Sequence, residues 1–217
     1  MNENLLIAIC LFLMVAFLSF RRKLYNVAIV KIAPLAICVA VLGLLGTYIL
    51  YYIENGIWYG RSFWGAVLFF PILLLPVAWI FKMTISDLLG YSTVPGVALL
   101  AVYKWNCWLE GCCGGRVMWF SEDGIPTHFP SQIVEMTVAI LITVVLLTCE
   151  RKEKMRTQIY PIFLILYGTT RCVLNYFRWE QQKFLLGLTA GAFWSVIAVL
   201  IGITWMIVSG ILARSKE

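Results

Sequence analysis

Long apolar stretches alternate with short polar segments along almost the whole chain. Seven stretches are nearly free of charge and long enough to cross a bilayer, namely 4–20, 27–53, 63–83, 87–110, 131–149, 158–177 and 187–211. A membrane-spanning helix needs about 20 apolar residues, and in lipid the backbone polar groups must pair within their own segment. The pattern therefore predicts an all-α, polytopic membrane protein with seven transmembrane helices, of which the fourth is interrupted by Gly90, Pro95 and Gly96.

The positive charges between these stretches predict the orientation of the chain. One side would carry ten lysines and arginines, which lie in 21–24 and 150–156 and at Lys82, Arg214 and Lys216. The other side would carry only four, at Arg61, Arg116, Arg178 and Lys183. Because short cytoplasmic loops are enriched in lysine and arginine, we expect the N-terminus outside and the C-terminus inside. The longest outer segment is then 111–130.

Composition agrees with a chain that is solvated mostly by lipid. Hydrophobic residues make up 62% of the 217 residues, charged residues 13%, and the mean hydropathy is +0.89, whereas a soluble domain is about one quarter charged. No polar stretch is long enough for a separate soluble domain, so we expect one membrane domain over 1–217. Topology and anionic headgroups account for the net charge of +6, and no basic surface is long enough to track a nucleic acid.

Charged and polar residues near the outer ends of three predicted helices are the candidate functional groups. Tyr167, Arg171, Asn175 and Arg178 follow each other at helical spacing, which places them on one face of an otherwise apolar helix. A cation within lipid costs about 2.5–3.5 kcal/mol unless it is paired or hydrated. This face should therefore point into the bundle or a wet cavity.

Two neighbouring stretches end or begin at the same predicted depth. Lys104 and Cys107 lie at the outer end of the fourth, and Gln132 and Glu135 lie at the start of the fifth. We expect these groups to converge with Arg171 in a positively charged pocket that binds an anionic lipid headgroup, since a guanidinium matches phosphate oxygens. The alternative is a purely structural ion pair, for example between Glu135 and Arg171.

The only histidine of the chain directly precedes the fifth stretch. His128 is the one side chain with an ordinary pKa near neutrality, which makes it a candidate general base. Ser131 is a candidate N-cap for the helix that follows, and a helix N-terminus favours a phosphate.

At these residues the sequence resembles the prolipoprotein diacylglyceryl transferase family, from about residue 43 to 206. Ser62-Phe63-Trp64-Gly65-Ala66 is similar to the family's Ser-Phe-His-Gly-Gly, and KWNCWLEGCCGGR (104–116) is similar to its signature Arg-x-x-Asn or Arg-x-x-Cys, which ends in Gly-Arg. HFPSQIVE (128–135) resembles His-Pro-Ser-Gln-Leu-Tyr-Glu. YGTTRCVLNYFR (167–178) resembles Tyr-Gly-x-x-Arg-Phe-x-x-Glu-Phe-x-Arg, and GLTAG (187–191) fits Gly-Leu-Thr-x-Gly.

The resemblance implies an enzyme that moves diacylglyceryl from phosphatidylglycerol, or another anionic phospholipid, to the lipobox cysteine thiol of a secreted preprotein. It implies seven spanning helices in the plasma membrane of a bacterium, with the site facing outward. Arg171 and Lys104 would hold the phosphate, His128 would act as the base, and Gly115 would occupy the position of an essential glycine. The other residues expected to bind substrate are Arg116, Ser131, Gln132, Glu135, Tyr167, Asn175, Arg178, Cys107 and Trp64.

Four positions depart from the family pattern. Trp64 stands where the family has the histidine proposed as base, and Lys104 replaces an arginine, which removes the bidentate geometry. Cys107 stands at the Asn position of the signature, which the Arg-x-x-Cys form already allows, and Asn175 replaces a glutamate.

Two other classes of function remain open at this point. A non-catalytic lipid-binding protein or transporter could keep the same cradle without the reaction. A membrane thiol redox protein could use Cys107, Cys112 and Cys113. A zinc site from Cys112, Cys113 and His128 lacks the usual ligand spacing, and we expect neither a metal nor a cofactor.

Overall fold

The computed structural model describes residues 3–121, 123–178 and 183–214, so Lys216 of the charge count lies outside the described residues. The chain is mostly helical. The first apolar stretch forms α1 (Glu3–Arg21), and the second forms a 3-10 turn (Ile29–Lys31) followed by α2 (Ile32–Asn55). A glycine in the left-handed conformation ends α2, since the backbone of Gly56 has a φ of 72°.

The third apolar stretch forms three short helices in place of one continuous helix. They are α3 (Phe63–Leu68), α4 (Phe70–Leu73) and α5 (Leu75–Phe81). Pro71 and Pro76 each lie in the first turn of the second and third of these helices. Proline lacks a backbone N–H and is tolerated at a helix start but not in its interior, which explains why the stretch is divided here.

The fourth stretch forms one helix despite its glycines and proline. It is α6 (Ile85–Leu109), with Pro95 inside it. The remaining stretches form α7 (Ser131–Glu150), α9 (Ile159–Tyr176) and α10 (Ala190–Arg214). The predicted bounds of α6, α7, α9 and α10 agree with the observed ones to within three residues. The short α8 (Glu153–Arg156), which was not predicted, lies in the charged segment between α7 and α9.

Two short antiparallel hairpins, which the apolar pattern did not predict, lie between the helices. Strands β1 (Val117–Phe120) and β2 (Pro126–His128) pair between α6 and α7, and β3 (Lys183–Leu185) and β4 (Leu188–Thr189) pair between α9 and α10. The backbone of Gly187, with a φ of 75°, makes the tight turn of the second hairpin.

Four helices of the described chain are long and apolar enough to cross a membrane: Ile29–Asn55, Ile85–Leu109, Ser131–Glu150 and Ala190–Leu212. Two shorter apolar helical segments, Leu5–Arg21 and Phe70–Phe81, accompany them. Large apolar side chains such as Phe20, Trp79 and Leu200 are well exposed on the protein, as expected where the solvent is lipid. The number of seven spans and the orientation of the termini stay predictions.

The chain divides into two compact units, here called unit A (Val97–Val145 and Pro161–Glu217) and unit B (Asn2–Gly96 and Leu146–Tyr160). In unit A the hairpin β3–β4 packs on the start of α10, where the ring of Phe184 contacts Phe193 and Trp194. Whether the whole chain behaves as one membrane domain stays a prediction.

In unit B, α2 and α3 cross very closely at two glycines. A Cβ atom on Gly46 would lie 2.6 Å from the carbonyl oxygen of Gly65, so no larger residue fits at Gly46. Unit B also contains a buried ion pair between Arg21 and Glu150, whose side chains are 2% and 4% exposed.

Candidate active site

A single buried carboxylate in unit A organises the charged residues that the sequence singled out. Glu135 lies in the second turn of α7, and its side chain is only 4% exposed. Lys104 Nζ of α6 lies 2.5 Å from its Oε2 atom. Arg171 of α9 and Arg178, just after α9, both donate from Nη1 to its Oε1 atom, with a distance of 3.1 Å for Arg178. The predicted convergence of α6, α7 and α9 on one point is therefore present.

Helical periodicity explains only part of this meeting. Arg171 lies in α9, but α9 ends at Tyr176, so Arg178 reaches Glu135 from the segment after the helix. The helical face predicted to include Arg178 therefore ends before that residue. The side chains of Arg171 and Arg178 are 13% exposed, and that of Lys104 is 10% exposed. All four charged groups are thus largely removed from solvent. Electrostatic interactions are stronger in such a buried environment than in water.

The cluster carries more positive than negative charge. Three cations face one carboxylate, and among the described residues Glu135 is the only acidic group paired with them. Both arginines bind Glu135 through Nη1, and the described part of the chain offers no acceptor to their other guanidinium nitrogens. A guanidinium has five N–H donors, so this arrangement has donors and charge left for a second anion.

The loop between α6 and β1 is fixed to α7 by side chains that the sequence had singled out. The Ser131 hydroxyl donates to the carbonyl oxygen of Cys113 at 2.6 Å, and the Gln132 amide donates to that of Cys112 at 2.5 Å. Both side chains are buried. Ser131 and Gln132 therefore hold the loop in place.

Gly115 lies where two segments leave no room for a side chain. Its N–H donates to the carbonyl oxygen of Phe129 at 3.0 Å, and it forms an antiparallel bridge with Arg178. A Cβ atom at this position would lie 2.5 Å from the Phe129 oxygen and 2.8 Å from that of Phe177. Only glycine fits, and the close approach ties the loop to the segment that carries Arg178.

The histidine is oriented by the same loop. Nδ1 of His128 lies 3.0 Å from the carbonyl oxygen of Gly115. Because a carbonyl oxygen only accepts, Nδ1 carries the proton in this hydrogen bond. In the neutral ring the lone pair is then on Nε2, which is the atom that a general base uses.

A cavity of about 570 Å³ opens beside these groups. Its lining includes Trp108, Cys113, His128, Gln132 and Arg178. The volume lies within the range of small-molecule sites, about 300–1,000 Å³. One cation of the cluster and the candidate base therefore face the same space.

Cys113, which lines this cavity, belongs to a group of three thiols. The sulfur atoms of Cys107, Cys112 and Cys113 all lie within 4.8 Å of one another, and all three are free cysteines. Hydrogen bonding with Cys107 lowers the pKa of the Cys113 thiol to about 5, and the charges of Lys104 and Arg178 act in the same direction.

Comparison with known proteins gives the family. The sequence profile of the prolipoprotein diacylglyceryl transferases matches residues 4–208, nearly the whole chain. The chain belongs to the prolipoprotein diacylglyceryl transferase family. The resemblance found in the sequence motifs is thereby confirmed, and the family is one of transferases in lipoprotein biosynthesis.

Two relatives carry the family's full name. The chain is 27% identical over 121 residues to the phosphatidylglycerol–prolipoprotein diacylglyceryl transferase of Clostridium tetani, covering 51% of this chain and 49% of the relative. It is 30% identical over 97 residues to the enzyme of the same name from Janthinobacterium sp. (strain Marseille), covering 43% and 36% respectively. The aligned part is thus about half, or less, of the length of these relatives.

Three other residues expected from the family resemblance make contacts other than with Glu135. Arg116 does not join the Glu135 cluster; its guanidinium stacks on the ring of Tyr176 at 4.3 Å. Tyr167 is buried and stacks on Phe163. The Asn175 amide donates to the hydroxyl of Thr189 at 2.6 Å, so the residue at the family's glutamate position ties α9 to the start of α10.

Trp64, which replaces the family histidine, lies in unit B. It is in the first turn of α3 and is 4% exposed. Its buried indole ring packs edge-on against Phe63, and an indole offers no base. The histidine of the sequence, His128, lies in unit A.

Sequence reasoning missed some residues that border the site. Trp108 and Thr189 were not singled out, although Thr189 lies within the Gly-Leu-Thr-x-Gly stretch that carried part of the resemblance. The proximity of Cys107 to Cys112 and Cys113 depends on how the loop turns, which the spacing along the chain did not reveal.

Proposed function

We propose that this protein transfers diacylglyceryl from phosphatidylglycerol to the lipobox cysteine thiol of a secreted preprotein, at the outer face of a bacterial plasma membrane. The observation that carries the proposal is the cluster of Lys104, Arg171 and Arg178 on the single buried carboxylate of Glu135. Membership of the family supports the reaction class, and the names of the two relatives support the lipid and the protein substrate.

The charge surplus suits the bond that must break. The acceptor thiolate attacks a glycerol carbon of the lipid, a carbon–sulfur bond forms, and the carbon–oxygen bond to phosphate breaks so that glycerol phosphate leaves. Negative charge on the phosphate grows as that bond breaks. Arg171, Arg178 and Lys104 would stabilise this charge in a site that is mostly closed to water, while Glu135 holds the three cations together.

His128 would accept the proton of the acceptor thiol. The hydrogen bond from Nδ1 to Gly115 places the basic lone pair on Nε2, and the ring lines the cavity. A thiol needs such a base because the thiolate is the nucleophile. In this proposal His128 takes over the task that the histidine at the Trp64 position has in the family.

The proposal includes seven spans with the N-terminus outside. Its test is labelling of intact cells with a membrane-impermeant maleimide in variants that keep a single cysteine. Cys112, in the proposed outer segment, should react from outside, and Cys149 near the far end of α7 should react only after permeabilisation. The reverse pattern would overturn the orientation.

The decisive experiment follows labelled diacylglyceryl from phosphatidylglycerol to a lipobox peptide with the purified full chain. The wild type should form the thioether, and Arg171→Ala should lower the rate by about 100–1,000-fold, the range for losing one group that stabilises developing charge. Arg151→Ala is the matched control, since Arg151 is an exposed cation outside the cluster, and it should keep the wild-type rate.

The same assay separates the alternative function. The substitution of Trp64 for the family histidine favours a protein that binds the lipid without reacting. If wild type transfers nothing between pH 6 and pH 9 but binds phosphatidylglycerol in an Arg171-dependent way, the transferase proposal is wrong and the lipid-binding function stands.

A further inference from the structure

The three thiols of unit A have the arrangement of a metal site. Cys107 lies two residues before the end of α6, and Cys112 and Cys113 lie in the turn that follows. Their sulfur atoms lie within 4.8 Å of one another. In a tetrahedral zinc site with Zn–S bonds near 2.3 Å, neighbouring sulfurs are about 3.8 Å apart. Small rotations of exposed side chains would therefore bring three sulfurs onto one ion.

The loop is held in the conformation that gathers these sulfurs. The N–H of Cys112 donates to the carbonyl oxygen of Cys107 at 3.0 Å, and side chains of α7 fix the carbonyls of Cys112 and Cys113. Hydrogen bonds that orient the ligand-bearing backbone are typical of metal sites. Ser131 and Gln132 would serve as such supports.

Cys113 has a backbone conformation that is unusual for its residue type. Its φ is 59°, in the left-handed region, which costs a non-glycine residue about 1–3 kcal/mol. The next two residues, Gly114 and Gly115, are glycines, which adopt a left-handed conformation without this cost. The chain thus bears a backbone cost at one of the three clustered thiols.

We propose that Cys107, Cys112 and Cys113 bind one zinc ion and leave its fourth coordination position to a thiol that enters the adjoining cavity. Three protein ligands and one open position are the coordination of reactive zinc sites, and thiolates select a soft or borderline ion such as zinc. Cys107 is buried and the other two ligands are exposed, so an ion is accessible from the cavity that Cys113 lines.

The fourth ligand would be the acceptor cysteine, and this part of the inference rests on the proposed function. Coordination to zinc deprotonates a thiol, and the released proton passes to His128. The zinc-bound sulfur then attacks the glycerol carbon, the carbon–oxygen bond breaks, and glycerol phosphate leaves with the bonding electron pair. The product thioether is neutral and is released from the ion, whose oxidation state does not change.

This assignment gives a reason for one departure from the family pattern. The family histidine is replaced by Trp64, while Cys107 at the end of α6 lies close to two further cysteines of the loop that follows. An ion that makes the acceptor thiolate reduces the demand on a general base. A zinc site formed by Cys112, Cys113 and His128 lacks the usual ligand spacing. In the site proposed here, Cys107 replaces His128 as the third ligand.

The first test measures metal binding without any assay of activity. The reduced full chain in detergent micelles, stripped of metal with a chelator, is titrated with Co²⁺, whose thiolate charge-transfer and tetrahedral bands report the ligands. We expect one equivalent to bind and Zn²⁺ to displace it. Cys113→Ser should weaken binding by more than the roughly 10–100-fold typical for loss of an outer-shell support.

Two variants keep this test decisive. Cys172→Ser removes an exposed cysteine of α9 outside the cluster and should bind Co²⁺ as the wild type does. Cys112→Ser replaces an exposed ligand and should fold even if substitution of buried Cys107 does not. If the wild type gives no more thiolate absorption than Cys112→Ser or Cys113→Ser, the zinc site does not exist.

The second test links the ion to transfer. Protein stripped of metal should transfer diacylglyceryl at least about tenfold more slowly, and one equivalent of Zn²⁺ should restore the rate. Full transfer by metal-free protein would overturn the role of the ion and leave the proposed function intact. Co²⁺ binding in a protein that transfers nothing would overturn the proposed function and support the metal site alone.

Discussion

Helix α7 carries two buried carboxylates whose surroundings differ in kind. Glu150, its last residue, meets one guanidinium. Arg21 donates from Nε to Glu150 at 2.8 Å, from Nη1 to the Tyr91 carbonyl at 2.7 Å and from Nη2 to the Gly90 carbonyl at 3.1 Å. Glu135, near the other end, meets three cations whose remaining donors have no acceptor in the described part of the chain.

Under the proposed function, this difference distinguishes a structural ion pair from a binding site. At Glu150 the charges are equal and each guanidinium nitrogen of Arg21 has an acceptor within the protein, so the group has little to offer a ligand. At Glu135 the positive charge exceeds the negative charge, which leaves charge for the anion that the proposed function requires. Both carboxylates are buried and ion-paired. The features that differ are the balance of charge and the number of guanidinium N–H groups that already have an acceptor.

The largest expected effect is on stability at the balanced pair. Arg21→Gln leaves the Glu150 carboxylate buried and unpaired, which should lower the free energy of unfolding by about 3–5 kcal/mol. The double variant Arg21→Gln with Glu150→Gln should regain most of it. Denaturant unfolding in micelles measures both, and a double variant no more stable than the single one would show that the pair is not the cause.

At the Glu135 cluster, the matching substitution of arginine by glutamine should affect ligand affinity more than stability. Arg171→Gln leaves Glu135 paired with Lys104 and Arg178, so stability should fall far less than in Arg21→Gln. Binding of short-chain phosphatidylglycerol should weaken by about 10–100-fold, the worth of a hydrogen bond to a charged group. Equilibrium dialysis with labelled lipid measures this binding. Unchanged affinity would contradict the assignment of Arg171 to the phosphate.

A packing change tests whether the cluster depends on the loop geometry. Gly115→Ala would press a Cβ against the Phe129 carbonyl and should cost about 1–3 kcal/mol, as overpacked positions do. Gly114→Ala is the neighbouring control, because its Cβ would meet no atom within 4 Å. Thermal unfolding of both variants gives the comparison, and equal melting temperatures would contradict the tight approach.

The smallest expected effect concerns the amide that stands at the family's glutamate position. Thr189→Val removes the hydroxyl that accepts from Asn175 and from the N–H of Ala192. Stability should fall by about 0.5–1.5 kcal/mol, the usual range for one hydrogen bond. Thr189→Ser keeps the hydroxyl and should behave as the wild type in the same unfolding measurement. A loss as large as that of Arg21→Gln would mean that Asn175 belongs to the charged network.

Most helices were predictable because their cause is local. The bounds of α1, α7 and α9 follow from the length of the apolar stretches and the polar residues that flank them. The division of the third stretch into three helices was not predicted, although Pro71 and Pro76 were visible. Proline is compatible with a kinked or a broken helix, and the packing around it decides which one forms.

The sequence by itself determined that the chain is a helical membrane protein, because this depends on the length of its apolar stretches. The sequence motifs also indicated the family, because each motif is a short run of consecutive residues. Only the tertiary structure decided that Lys104, Arg171 and Arg178 share one carboxylate while Arg21 pairs with another. It also brought Cys107 to Cys112 and Cys113. These features depend on which side chains face each other across helices and on a left-handed turn at Cys113, and neither is encoded in local spacing.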